Sequence, residues 1–202
     1  MTPAIKVSVD TIRPTQMSVG QHEVDVKRQR LQKLSHHEQK AFLENSPFPA
    51  VLGPHRRPYI VDHHHLGRAA IDAGHTEVVV QIIADLSTLA GNGFWHEMAS
   101  KNWVHPYDEQ GKKQSFEDIP HHLTHLKDDP YRSLASLVRH AGGYTKTPTP
   151  FSEFAWADYF RHTIPEVREG LRMPEHVDRA VRLAHSADAV RLPGYLGHLS
   201  QR

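Results

Sequence analysis

The sequence predicts an α+β fold: a small mixed sheet followed by a helical C-terminal part. Three observations carry this. Residues 58–83 read as strand, sharp turn, short helix and strand in succession. β-Branched runs stop near residue 85, and later segments repeat apolar residues at helical spacing. Pro and Gly punctuate the chain often enough to bound short elements, with no internal repeat or low-complexity tract.

Taken in order, Ile5 to Val9 alternates and predicts an edge strand, and Arg13, Pro14 and Gly20 break it into a polar loop. Residues 21–34 are strongly polar with Val24, Val26 and Leu31, a helix pattern. Ser35 is a natural N-cap for a second helix over 36–44, which Pro47 and Pro49 end. Residues 50–52 predict a short strand before the Gly53-Pro54 turn. Tyr59 to Val61 form the next strand, Asp62 is a good N-cap, and Leu66, Ala69, Ala70 and Ala73 share a helix face that Gly74 terminates. A β-branched run from Glu77 follows, to about residue 85. Residues 87–103 predict a helix weakened at Ala90-Gly91-Asn92-Gly93, and 105–120 a loop. Helices are expected over 130–141, with Pro130 in the first turn, over 150–162, rich in aromatics for core packing, and over 175–187. The last residues, with Pro193 and Gly194, read as weakly held. The expected organisation is an α/β core over 1–85 and a helical extension over 86–202 packed on it as one compact body.

Composition narrows the function. A formal net charge of +1 gives no global field for nucleic acid. The local clusters Lys27-Arg28-Gln29-Arg30 and Arg56-Arg57 fit a solvated face as well as a phosphate contact. Zero cysteines exclude disulfides, thiolate metal sites and a cysteine nucleophile. No signal-like or membrane-length apolar run occurs, so a soluble, cytoplasmic protein without a membrane partner is expected. Histidine is the anomaly, at 18 residues in clumps: His36-His37, His63-His64-His65, and His121-His122 with His125.

The clump at 63–65 lies where a helix begins. Unpaired amides and the positive end of the helix dipole make that position an anion site. Asp62 would cap the helix or bind a cation, the amides at His64 and His65 would hold a phosphate, and one imidazole would serve as general acid or base. Adjacent histidines cannot all point at one ion, so a transition-metal site would need further ligands from His96, Glu97, His105, Asp108 or the Asp128-Asp129 pair. Magnesium arriving with a nucleotide suits these oxygen donors better. Asp128 and Asp129 precede a helix that carries Arg132 and Ser133, so they could hold a metal while Arg132 clamps phosphate. The plainer reading is N-capping by Asp129 and a first-turn salt bridge. Lys146 follows the Gly142-Gly143 stop and could supply a point charge.

The strand-turn-helix-strand resembles the core of the ParB/sulfiredoxin superfamily, whose pattern is Asp-Gly-His-His-Arg, an Ala-rich helix, a Gly and a strand. Asp62, His64, His65, Ala69, Ala70, Ala73 and Gly74 match. His63 stands where the pattern has glycine and Leu66 where it has arginine. Asp128-Asp129-Pro130-Tyr131-Arg132-Ser133, Arg139, Gly142-Gly143 and Phe151 to Trp156 extend the likeness to the ParB-like nuclease family, over about residues 5–162. The resemblance implies a sulfiredoxin-like fold, a turn that holds nucleotide phosphates, and phosphoryl or phosphodiester chemistry with a divalent cation. It implies Arg68 as substitute for the missing arginine, His63 as a further ligand contact, and, through a weaker match, Gln16 as ligand contact and Glu23 as base. Sulfiredoxin chemistry itself needs a cysteine that this chain lacks. Two alternatives stand beside the enzyme: a non-enzymatic nucleotide- or DNA-binding module like the partition clamps, and a histidine-based metalloenzyme. The ligand expected is a nucleotide or phosphorylated small molecule, with nucleic acid left open.

Overall fold

The computed structural model describes residues 4–148, 150–167 and 173–198. Residues 1–3, part of the segment read above for a targeting signal, lie outside them. The chain divides into two compact units, residues 1–127 and 128–202, so the segment from 86 to 127 belongs with the sheet.

The first unit holds β1 (Ala4–Ser8), β2 (Ser18–Val19), α1 (Gln21–Gln32), α2 (His36–Glu44), β3 (Phe48–Leu52), β4 (Pro58–Ile60), α3 (His64–Asp72), β5 (Glu77–Asp85) and α4 (Gly91–Ser100). Four strands form a mixed sheet in the order β1-β5-β3-β4. β1 is antiparallel to β5, β3 is parallel to β5, and β4 is antiparallel to β3. Period-two alternation sorts β5: Val78, Val80 and Ile82 are buried between less buried neighbours. They join Phe48, Ala50, Ile60, Leu31, Ala69 and Ala70 in one core. The opposite side of β3 packs Val51 with Phe94 and Met98 of α4 and Ile119 of the following loop. Each fully buried aliphatic or aromatic side chain contributes roughly 1.5–3 kcal/mol relative to exposure.

Local signals explain most boundaries. Ser35 and Glu38 form the reciprocal cap that starts α2. α3 ends as anticipated: Gly74 takes φ +87°, and the His75 and Gly74 amides close back on Ala70 and Ile71. The Gly91-Asn92-Gly93 run is the beginning of α4 rather than a weak point inside it, because Gly91 adopts φ +51° after the extended Ala90. α3 departs from expectation at its other end. The N-cap is His63, not Asp62, because His63 itself takes the left-handed conformation (φ +67°, ψ +19°).

The second unit carries α5 (Pro130–His140), α6 (Ser152–Thr163) and α7 (Met173–Ala184). Its core joins Leu134, Ala135 and Val138 of α5, Trp156, Ala157 and Phe160 of α6, and Ala180 and Ala184 of α7. The aromatic stripe is core, as its helical spacing suggested: Trp156 is fully buried and stacks on Tyr144 at 4.3 Å. The segment around Pro193 and Gly194 is held, contrary to its composition. Trp156 Nε1–H donates to the Pro193 carbonyl (2.8 Å), and the Thr145 N–H donates to the Gly194 carbonyl (2.9 Å). No helix among the described residues is long and apolar enough to cross a membrane.

Candidate functional site

The polar loop of residues 13–20 first runs along β4. The Arg13 N–H donates to the Pro58 carbonyl (2.8 Å), the Ile60 N–H donates to the Arg13 carbonyl (2.9 Å), and Thr15 Oγ1 donates to the Ile60 carbonyl (2.9 Å). Buried Arg13 donates through Nη1 to the carbonyls of Asp10, Ile12 and His121. Burial, then the charge of Arg57, lowers the Arg13 pKa from its usual value.

The loop then crosses the beginning of α3, where two histidines grip it. His64, nearly fully buried, accepts the Thr15 N–H at Nε2 (3.1 Å). His65 accepts the Gly20 N–H at Nε2 (3.1 Å). A nitrogen that accepts cannot carry a proton, so this geometry selects the neutral tautomer with hydrogen on Nδ1 in both rings. Gly20 is the N-cap of α1, so His65 also fixes the helix whose first turn carries Glu23. Between the two grips, Gln16 is buried and donates Nε2–H to the Ser18 carbonyl (2.7 Å). Ser18 Oγ is buried with no hydrogen-bond partner among the described residues.

Asp62 is the exposed carboxylate of the turn, accepting the His63 N–H at 2.6 Å. The His63 ring meets Phe48 edge-on at 5.5 Å. Glu23 pairs with Lys27 at 3.0 Å. Arg68, expected as a phosphate ligand, makes a forked pair with Asp72 (3.0 and 3.1 Å) and donates to the carbonyls of Thr124 and Leu126. Its guanidinium therefore ties α3 to the 123–126 segment. The basic clusters also have internal partners: Arg28 pairs with Asp25, Arg30 lies over the Phe42 ring, and Arg56 faces Asp85.

The remaining candidates lie in the second unit. Asp129 caps α5, accepting the Tyr131 N–H (2.9 Å), and pairs with Arg161 Nη2 (2.6 Å) while almost wholly buried. Burial, its largest influence, raises its pKa although Arg161 opposes the rise. Arg132 is buried with its guanidinium 3.5 Å from the Phe154 ring centre and 3.8 Å from Glu153, which also pairs with Arg139 at 3.0 Å. Ser133 is buried on the same helix, Asp128 is half-buried, and Lys146 is exposed. Among the described residues, no group of three or more His, Asp or Glu is arranged to hold a metal ion.

The sequence profile of the family described as "Putative ParB-like nuclease" matches residues 5–162. The chain belongs to this family. The crystal structure of protein Atu1540 from Agrobacterium tumefaciens is similar over 98% of both chains, with 38% identity and a TM-score of 0.89. No curated protein matches the chain.

Within this ParB-like chain, the expected turn residues Asp62, His63, His64 and His65 gather with Gln16 in the first unit, and Glu23 follows on α1. Asp128, Asp129, Arg132, Ser133 and Lys146 belong to the second unit. Sequence reasoning missed Thr15 and Ser18. Thr15 sits in the Pro14-Thr15-Gln16 segment, yet no spacing rule connects it to a histidine 49 residues away. Ser18 carries no sequence signal at all, because only its burial sets it apart.

Proposed function

We propose that the chain binds the phosphate of a nucleotide or other phosphorylated ligand where α3 begins, and hydrolyses or transfers a phosphoryl or phosphodiester group there. The observation carrying this reading is the doubly gripped loop. His64 and His65 hold residues 15 and 20 against the start of α3, with the orphaned Ser18 hydroxyl between those two anchor points. A preorganised loop beside a helix start suits an oxyanion ligand, because the donors need no rearrangement on binding. Family membership supports the same class of chemistry.

The tautomers redistribute the roles anticipated from sequence. Rings that already accept backbone N–H groups act as positioning residues, so His64 and His65 orient the loop. Proton transfer falls to the carboxylates nearby, Asp62 at the turn or Glu23 on α1. Magnesium would enter with the ligand's phosphates, Asp62 being the exposed carboxylate that could meet it. A net charge of +1 favours a short ligand over a long polyanion.

The test is a thermal-shift and turnover screen of untagged protein with nucleoside phosphates and a chromogenic phosphodiester, with and without magnesium. A nucleotide should raise Tm in wild type, while Asp62→Ala keeps the unliganded Tm and loses the shift. His65→Gln, which preserves an acceptor, should retain turnover better than His65→Ala. Binding without turnover would favour a partition-type module. If no phosphorylated compound shifts Tm, the reading fails.

A further inference from the structure

A separate cavity of about 210 Å³ lies in the first unit where α2 meets the Gly74 turn and the first residues of β5. Its chemistry comes from Lys6, His36, Lys40, Glu44, His75 and Glu77. The His36 and His75 rings stack nearly parallel, 9° apart, with centroids separated by 6.3 Å. His75 Nε2 lies 2.8 Å from Gln39 Oε1, an acceptor, so Nε2 carries hydrogen and Nδ1 takes the second proton.

The charges around these rings balance in an informative way. Lys6 and Glu44 pair with each other at 3.1 Å. Lys40 is exposed and has no carboxylate partner among the described residues. Glu77, exposed at the first position of β5, is the opposing charge. The lysines and glutamates thus cancel, and the imidazoles decide the sign of the cavity. Two stacked imidazolium rings repel unless an anion lies between or beside them. Burial and the neighbouring His36 both lower the His75 pKa, the signature of a ring that resists its second proton.

We propose that this cavity is a second ligand site, for a small oxyanion of the phosphate or carboxylate class, which binds against the paired rings as His75 takes its second proton. The volume suits a phosphate or small dicarboxylate with accompanying water. The proposal does not depend on the start of α3, and it assigns a role to two histidines that the phosphate-chemistry reading leaves unused.

The experiment follows the ring Cε1–H resonances of His36 and His75, assigned with His36→Gln and His75→Gln, during titration of the full chain with inorganic phosphate and, separately, succinate. Both resonances should move with at least one of the two anions at pH 5.5, and the apparent Kd should weaken by about tenfold or more at pH 8 as His75 loses charge. The anion that binds more tightly names the source class. Lys40→Ala, a change at an exposed position, should weaken binding several-fold with Tm unchanged. Resonances that stay fixed in both titrations, binding that ignores pH, or a Tm rise with zinc alone but neither anion would overturn the proposal. The signals are local to these rings, so a failure at the α3 turn would leave them unaffected.

Discussion

Asp129 separates a structural carboxylate from a metal ligand, and two substitutions at this one position do so. Its Oδ1 accepts the Tyr131 N–H at the start of α5, and its Oδ2 meets Arg161. Asp129→Ala removes the cap and the charged hydrogen bond, for a loss of about 2–4 kcal/mol. Arg161 keeps Asp158 as a partner and is partly exposed, which keeps the loss below that of a fully stranded charge. Asp129→Asn retains a cap acceptor and eliminates the buried charge. Because burial outweighs Arg161 and raises the carboxyl's pKa, the neutral amide should stay within about 1 kcal/mol of wild type. The pH dependence has a definite sign. The native carboxyl keeps its proton to a higher pH than the unfolded one, so its contribution is fullest below an unfolded value near 3.9. That contribution declines as pH rises through the native value, and wild type should lose ground against Asp129→Asn over this interval. Urea titrations followed by circular dichroism at several pH values measure all of this. Equal losses for Asn and Ala would show that the ionised pair is a net stabiliser and that burial does not dominate. A magnesium-dependent Tm shift lost in a stable Asp129→Asn protein would make the residue a metal ligand after all.

Other sites give equally direct expectations. His63→Val should lower Tm, since a β-branched residue in the left-handed region costs roughly 1–2 kcal/mol and the Phe48 contact goes too; His63→Gly, which suits the left-handed backbone, should cost clearly less. Gly194→Ala should be strongly destabilising in a thermal melt, because its Cβ would lie 2.0 Å from the Thr145 carbonyl oxygen at a backbone with φ +77°. His75 has a lowered pKa in the fold, so its neutral form contributes stability fully above the unfolded value near 6.5 and loses it as pH falls through the native value. Tm measured from pH 8 to 5 should drop less in His75→Gln than in wild type.

Much of this fold was written in local chemistry. The β-branched run of β5, the Ser35 cap, the Gly74 stop and the aromatic spacing of α6 are all short-range signals, and each one predicted its element. The failures share a different cause. Asp62 has the better intrinsic capping propensity, yet the left-handed backbone at the next residue makes His63 the N-cap. The Pro193–Gly194 segment reads as loose because composition cannot announce that Trp156 and Thr145 reach it from 37 and 49 residues away. At the candidate site, the turn itself was legible through the matched Asp and His positions. The loop that completes it was legible only as a faint likeness, since its attachment depends on histidine ring nitrogens rather than on any periodic pattern.

Two of the 18 histidines acquire a physical reason from these attachments. A neutral imidazole is a rigid acceptor placed several ångströms from its backbone, long enough to span from a helix to a neighbouring loop. His64 and His65 use that reach to satisfy buried or half-buried N–H groups of a loop that has little regular structure of its own. Serine or asparagine could accept the same bond only by bringing the backbones closer together. Such a connection has an inherent weakness, because a proton on the accepting nitrogen sets two donors against each other. Acid should therefore loosen the loop at the α3 turn while it charges His75 in the second cavity, and the two sites would respond to the same pH change in opposite functional directions. Histidine-specific resonances followed from pH 8 to 5 would expose this: the Thr15 and Gly20 amides should lose hydrogen-exchange protection as the cavity rings gain affinity for anions. Amide protection unchanged across that range would mean that the grips do not depend on neutral imidazole, and the positioning role assigned to His64 and His65 would have to be abandoned.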